Sequence, residues 1–115
     1  MRVYIAFPYG WNNGLTLEQL EENAYKSIMI GRSLILKGHN PFIPNLWHYV
    51  HKGWIKSPDE VIYFHLVSEW IQFCDALLVG KMPPWENSGV QREIEIAKDL
   101  GKTIYYSIEQ IVDIT

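Results

Sequence analysis

The sequence contains only one cysteine, Cys74, in 115 residues. A lone thiol inside an apolar stretch has no disulfide partner, so we expect a buried thiol in a reducing, cytoplasmic compartment. The chain has no run of Lys and Arg, and its formal net charge is −3. We therefore do not expect a nucleic-acid polymer as a partner. No apolar run reaches the length of a signal peptide or a membrane span, so we expect no membrane association either.

Hydrophobic residues make up 48% of the chain and aromatic residues 14%. This is enough apolar material to fill one core at this length, so we expect a single domain over residues 1–115. No internal repeat or low-complexity segment interrupts the chain. The sequence thus indicates one small globular unit.

Strand-like and helix-like patterns alternate along the chain. Apolar, β-branched or proline-bracketed runs predict strands at 2–7, 40–44, 75–80 and 103–106. Helical periodicity and end signals predict helices from the capping box at Thr16 to Gly38, from an N-cap at Ser57 to about Phe73, and over 88–100, with a short terminal helix from Ser107. This order predicts a flavodoxin-like or Rossmann-like α/β fold, with a parallel sheet of four to five strands and helices on both faces.

Ligands of open parallel sheets bind outside the carboxyl ends of the strands. That rule selects the loops 7–16, 45–57 and 80–89, and within them we take as candidate ligand contacts Pro8, Gly10, Trp47, Asn87, Ser88 and Gly89. The last three precede a predicted helix whose free N–H groups suit an anion or a sugar hydroxyl. Asn87 or Ser88 could equally be the ordinary cap of that helix.

Two glutamates follow in the same predicted helix. Glu93 and Glu95 are two residues apart, so they point to different faces. Glu93 is near enough to the helix start to face the crevice, where the helix dipole would keep it ionised. A plain surface carboxylate is the commoner situation near a helix start, and periodicity alone does not decide between the two.

Several segments, taken in order, resemble the nucleoside 2-deoxyribosyltransferase-like superfamily. They are 3–6 (VYIA), 38–39 (GH), 74–79 (CDALLV), 88–93 (SGVQRE), Ala97 and 101–102 (GK), and they span nearly the full chain. The run 85–89 (WENSG) also resembles a bacterial and phage branch of the superfamily whose activity is largely unassigned. No one motif is highly specific, and the resemblance depends on their combined order and spacing.

The resemblance implies cleavage or transfer at the N-glycosidic bond of a 2′-deoxynucleoside or deoxynucleotide. Glu93 matches the glutamate that attacks the anomeric carbon, and Tyr4 matches a tyrosine that hydrogen-bonds near it, although a core aromatic is an equal alternative for Tyr4. Asn87 matches a position that contacts the sugar hydroxyl, and Ser88 lies one position from a phosphate-binding serine. Trp47, Trp54 and Trp85, in loops over the crevice, could stack on the base or serve in packing or subunit contacts. The superfamily also implies a homodimer or higher homo-oligomer.

The chain departs from the family pattern at two places. Val67 stands where the family carries an aspartate that assists proton transfer to the base; His65, Ser68 and Glu69 are nearby alternatives. The first loop lacks the arginine that binds a substrate phosphate. These departures leave two other hypotheses open, namely a nucleoside-binding module without turnover and an oligomeric scaffold.

We expect no metal and no other cofactor. His48 and His51 are three residues apart and could meet on a helical turn, but they have no nearby carboxylate or cysteine in the sequence. Two imidazoles alone make a poor metal site.

Overall fold

A computed structural model of the chain describes residues 1–10, 13–83 and 88–115. Its strands are β1 (Arg2–Ala6), β2 (Asn40–Phe42), β3 (Ala76–Val79) and β4 (Thr103–Tyr105). Its α-helices are α1 (Leu17–Leu36), α2 (Trp47–His51), α3 (Glu60–Phe73) and α4 (Gly89–Asp99), and short 3₁₀ turns occur at Pro44–Leu46 and Ile108–Gln110. The alternation of strands and helices predicted from the sequence is therefore confirmed.

The described strands form one parallel sheet in the order β2-β1-β3-β4. The proline-bracketed β2 lies at an edge, where a missing N–H is tolerated, while β1 and β3 occupy the two inner positions. All four residues of β3 are buried, as expected for a strand covered on both faces. The sheet places the carboxyl ends of β1, β2 and β3 side by side.

Helices cover both faces of the sheet, as predicted. On one face Tyr4, Leu77 and Val79 pack with residues of α3 and α4 such as Ile71 and Ile94. On the other, the alternate strand residues pack against α1 and the C-terminal segment, in a cluster of Val3, Ile5, Phe7, Leu34, Leu78 and Ile111. The period of two along β1 thus divides its side chains between two apolar layers.

Helix α1 begins as the sequence predicts. The Thr16 hydroxyl accepts a bond from the Gln19 N–H at 3.2 Å, and the Gln19 side chain accepts from the Thr16 N–H at 2.9 Å. This reciprocal pair satisfies two of the N–H groups that a helix start leaves without partners. The helix ends before Gly38, whose φ of 88° is readily accessible to glycine.

The predicted start of the second long helix is wrong. Ser57 is not its N-cap; Asp59 is, and its carboxylate accepts from the N–H groups of Val61 and Ile62 at 3.1 and 3.4 Å. A carboxylate satisfies two N–H groups and interacts favourably with the positive helix end, an advantage that a hydroxyl lacks. The helix accordingly starts at Glu60.

No helix in the described part of the chain combines the length and apolar character needed to cross a bilayer.

Candidate functional site

A cavity opens at the carboxyl edge of the sheet, where the ends of β1, β2 and β3 meet. Its walls come from the loop after β1, the 3₁₀ turn and α2 after β2, the inner face of α3, and the start of α4. The residues that line it include Tyr4, Pro8, Tyr9, Gly10, Trp47, His48, His51, Tyr63, Phe64, Val67, Ser88, Gly89, Arg92 and Glu93. The described loops at this edge therefore converge on one space, as the sheet rule requires.

Most of the residues predicted from the sequence lie together in this cavity. Tyr4, Pro8, Gly10, Trp47, Ser88, Gly89 and Glu93 all line it, whereas Asn87 and Trp85 lie outside the described residues. Glu95 is exposed two residues beyond Glu93, which confirms that the two carboxylates occupy different faces of α4. Trp54 is half exposed and does not line the cavity.

Glu93 reaches back over the first turn of α4. A methyl group added at Gly89 would lie 3.7 Å from Glu93 Oε1, so the carboxylate lies beside the first residue of the helix. Side chains on a helix lean toward its N-terminus, which explains this direction. The absent side chain at Gly89 leaves the carboxylate open on that side.

Burial controls the protonation of Glu93. Its side chain is only 9% exposed, and the loss of hydration raises its pKa from 4.5 to about 8, although Tyr4 and Arg92 partly oppose the rise. The expectation that the helix dipole keeps Glu93 ionised is therefore wrong, because burial of the charge outweighs the dipole at this site. The carboxyl group is largely protonated at neutral pH.

Tyr4 is a core residue that also lines the cavity. Its ring is fully buried and packs against Phe42, with ring centroids 5.5 Å apart. Its hydroxyl lies beside the Glu93 carboxyl group; burial, and secondarily the charge of Glu93, raise the pKa of Tyr4 well above its usual value. Within the described residues neither Tyr4 Oη nor Glu93 Oε2 has a hydrogen-bond partner of good geometry. Two buried polar atoms are thus available to a ligand.

Ser88 is the N-cap of α4, which confirms the structural alternative for this residue. Its hydroxyl oxygen accepts a bond from the Gln91 N–H at 3.1 Å. A hydroxyl that accepts one bond still carries a proton to donate, so capping does not prevent contact with a ligand. Ser88 is buried at the cavity wall, where both roles are compatible.

The loop after β1 is fixed by two asparagines from other elements. Asn23 of α1 donates to the Tyr9 carbonyl at 3.1 Å, and Asn45 donates to the Pro8 carbonyl at 3.4 Å. Gly10 follows with φ of 86°, in the left-handed region that favours glycine. These contacts hold the loop across the mouth of the cavity.

Tyr9, His48 and His51 line the cavity on the side of α2, and Glu21 of α1 lies against His48. The Tyr9 hydroxyl hydrogen-bonds His48 Nδ1 and lies 3.1 Å from His51 Nε2. On the far side of the His48 ring, Nε2 lies 3.5 Å from Glu21 Oε1, and Glu21 also pairs with Lys52. We call these four residues, Glu21, His48, Tyr9 and His51, the imidazole chain.

The protonation of this chain is constrained by its geometry. A phenol has one proton, so Tyr9 donates to one of the two imidazoles and accepts an N–H from the other. Burial, together with the proximity of His48, lowers the pKa of His51, and burial raises the pKa of Tyr9 well above its usual value. At least one ring nitrogen facing Tyr9 therefore carries a proton.

The sequence reasoning missed Tyr9, His51 and Arg92 as cavity residues. Tyr9 lies between the predicted contacts Pro8 and Gly10, and His51 lies one helical turn after Trp47, so both were in selected loops. Arg92 precedes Glu93 on α4 and packs its guanidinium 4.6 Å from the centre of the Phe64 ring. Its cation–π contact orients it along the cavity wall.

Val67, where the sequence resemblance led us to expect an aspartate, also lines this cavity. Of the alternatives considered for the missing acid, His65 and Glu69 are exposed and do not line it, and the Ser68 hydroxyl donates to the Phe64 carbonyl at 2.7 Å. None of the three is placed at the cavity wall. In the described part of the chain no group of three or more His, Cys, Asp or Glu side chains could hold a metal.

No protein-family model matches the chain, and no curated protein sequence matches it. Solved structures do match the chain. A 2-deoxyribosyltransferase from Bacillus psychrosaccharolyticus superposes with a TM-score of 0.60 at 20% identity, covering 90% of this chain and 69% of that one. A 2-deoxyribosyltransferase from Leishmania mexicana gives 0.58 at 22% identity, covering 90% and 61%. This chain, with its parallel sheet and helices on both faces, thus has the nucleoside 2-deoxyribosyltransferase-like fold.

Proposed function

We propose that the protein cleaves or transfers at the N-glycosidic bond of a 2′-deoxynucleoside or deoxynucleotide, with Glu93 as the nucleophile. The observation that carries this proposal is the buried Glu93 carboxyl group, which turns back over Gly89 into the cavity and lies beside the Tyr4 hydroxyl. The two 2-deoxyribosyltransferases of similar fold support the substrate class.

The chemistry suits a carboxylate in this setting. A deoxyribosyl centre has no 2′-hydroxyl and readily develops positive charge as the base departs. The ionised form of Glu93 interacts with that charge more strongly in a dry cavity than it would in water, and it can then form a covalent bond to C1′. On this proposal, the Tyr4 hydroxyl donates a hydrogen bond to the carboxylate once Glu93 is ionised. Asn87, Ser88, Gly89, Pro8 and Gly10 would contact the sugar, and Trp47 would contact the base.

The raised pKa of Glu93 limits how much of the free enzyme is ready to react. Only the ionised carboxylate attacks C1′, and its pKa of about 8 means that a minority of the free enzyme carries it at neutral pH. The positive charge that develops at C1′ stabilises the ionised form during the reaction. The ionised fraction of Glu93 therefore rises from mildly acidic to mildly alkaline pH, and a rate limited by this group alone would rise with it.

The test is release of free base from a panel of deoxynucleosides and their 5′-monophosphates, with and without an added acceptor base. Glu93→Gln should abolish release, because an amide does not form the glycosyl intermediate. Glu95→Gln is the matched control; it removes an exposed carboxylate two residues away on the same helix and should leave the rate unchanged. Equal activity in both variants would refute a nucleophilic Glu93.

A nucleoside-binding module without turnover is the second candidate. The apolar Val67 at the cavity wall favours it, because the position of the family acid carries no proton. A binding module would be stabilised against heating by deoxynucleosides but would release no base. Release that requires Glu93 would exclude this alternative. Dimeric or larger assembly remains part of the proposal, and light scattering on the purified protein tests it.

A further inference from the structure

The cavity contains a second group of titratable side chains on the wall formed by α2 and the loop after β1. Helix α2 of this wall follows β2 in the chain, whereas the helix of Glu93 follows β3, and β1 lies between these two strands in the sheet. The two groups thus enter the cavity from different sides of the β1 end, and both line it. Because both groups line one cavity, a nucleoside whose sugar lies against Glu93 shares that cavity with this wall.

We propose that His51 donates the proton to the departing base, taking the place of the acid that Val67 cannot supply. This inference rests on the proposed function. His51, Tyr9 and His48 all line the cavity, but His48 is only 1% exposed and hydrogen-bonds the Tyr9 hydroxyl, which in turn lies 3.1 Å from His51 Nε2. His51 is therefore the more accessible imidazole of the chain, and Tyr9 and His48 are positioning residues.

In the first step, a Glu93 carboxylate oxygen forms a bond to C1′ as the C1′–N bond breaks, and the electron pair of that bond passes to the base. The base takes a proton from the His51 imidazolium and leaves as a neutral molecule. The products are a glycosyl ester on Glu93, a neutral His51 and the free base.

The second step restores both groups. Water gives a proton to the neutral His51 as its oxygen bonds to C1′, and the C1′–Oε bond breaks with its electron pair returning to Glu93. With an acceptor base in place of water, the acceptor loses the proton instead. His51 is thus the acid in one half-reaction and the base in the other.

Titratable groups from three elements contact His51. Tyr9 comes from the loop after β1, His48 from α2, and Tyr63 from α3, whose ring lies 5.4 Å from that of His51. Glu21 and Lys52 lie beyond them and pair with each other, and Glu21 also lies against His48. Burial and His48 lower the pKa of His51, which strengthens it as an acid. Tyr9 holds Nε2 and so fixes the orientation of the ring.

The test compares two substrates that differ in their need for an acid. The base of 2′-deoxyguanosine needs a proton as it departs, whereas the base of 7-methyl-2′-deoxyguanosine is already cationic and leaves neutral without one. His51→Gln should lower release from the first by about 10²–10⁴-fold and from the second by less than about tenfold. His65→Gln, which changes an exposed histidine on α3, should change neither rate.

Tyr9→Phe keeps His51 and removes the hydroxyl that orients it. We expect about a tenfold loss with 2′-deoxyguanosine and almost none with the methylated substrate, which a general loss of structure would not produce. His51→Asn serves as a second variant should His51→Gln fold poorly, as judged by its melting temperature. Both His51 variants should lose the decline in rate that we expect of the wild-type enzyme at alkaline pH.

The outcomes separate the two proposals. Equal losses on both substrates in the His51 variants, or no loss, would overturn the role of His51 while the effect of Glu93→Gln left the proposed function intact. Persistent release in Glu93→Gln, or no release by the wild-type enzyme from any deoxynucleoside or 5′-monophosphate of the panel or from the methylated substrate, would overturn both. A selective loss with 2′-deoxyguanosine alone would establish the acid.

Discussion

Replacing Glu93 with glutamine should change how the stability of the protein depends on pH. The buried carboxyl group has a pKa of about 8 in the folded chain and 4.5 in the unfolded one. Its favourable contribution is fully present below pH 4.5, where both states are protonated, and is lost as pH rises toward 8, because the folded state must then bury a charge or keep a proton that the unfolded state releases. Glutamine has no such titration.

The size of the effect follows from the difference between the two states. Each pH unit between the unfolded and folded pKa values costs the wild-type protein roughly 1.4 kcal/mol relative to the variant. Between pH 5 and pH 8 the accumulated difference is about 3 kcal/mol. For a chain of this length that corresponds to about 10 °C in melting temperature.

The assay is urea unfolding of both proteins at several pH values, comparing the difference in unfolding free energy rather than either value alone. His51 titrates in both proteins; its lowered pKa makes stability rise with pH through its own range, and the comparison cancels that contribution. Glu95→Gln, an exposed change on the same helix, should show no such trend. A difference between wild type and Glu93→Gln that stays constant from pH 5 to pH 8 would refute the burial argument.

Three further predictions concern the same cavity. Tyr4→Phe removes a hydroxyl whose interaction lowers the pKa of Glu93, so a smaller fraction of the enzyme carries ionised Glu93 and the rate below about pH 8 should fall, while urea stability changes little. Ser88→Ala removes the cap of α4 and should lower the free energy of unfolding by about 1 kcal/mol, and Ser88→Asp should restore it. Val67→Asp, made together with His51→Gln, places a carboxylic acid on the cavity wall and should recover part of the release from 2′-deoxyguanosine; no recovery would argue that this wall does not contact the base.

Local patterns were sufficient to predict the four described strands and the three long helices, but not the short helix α2. The buried run of β3, the proline-bracketed β2 and the capping box of α1 each depend on residues close together in sequence. The error at Ser57 arose where two adequate caps stood two residues apart. Sequence alone does not tell whether the Ser57 hydroxyl or the Asp59 carboxylate, on either side of Pro58, caps the helix. The answer depends on which N–H groups each side chain can reach.

The candidate site was predictable only in part, for a different physical reason. The position of Glu93 beside the crevice followed from the sheet rule and the helix direction, both of which are general. Its protonation did not, because burial depends on packing from α3 and β1, far away in sequence. The contacts of Tyr9 join residues 39 and 42 positions apart, and the sequence showed only that His48 and His51 share a helical turn.

The pKa of Glu93 is raised and the pKa of His51 is lowered within one cavity, and the proposed mechanism uses both shifts. The active form has Glu93 ionised and His51 protonated, which is the reverse of the order that their surroundings favour in the free protein. Its population is greatest between the two pKa values and falls on both sides. The rate should therefore follow a bell against pH. Removing His51 should leave only a rise to a plateau, since ionised Glu93 would then be the sole requirement. The shape of the two curves thus distinguishes a paired acid and nucleophile from a nucleophile acting alone.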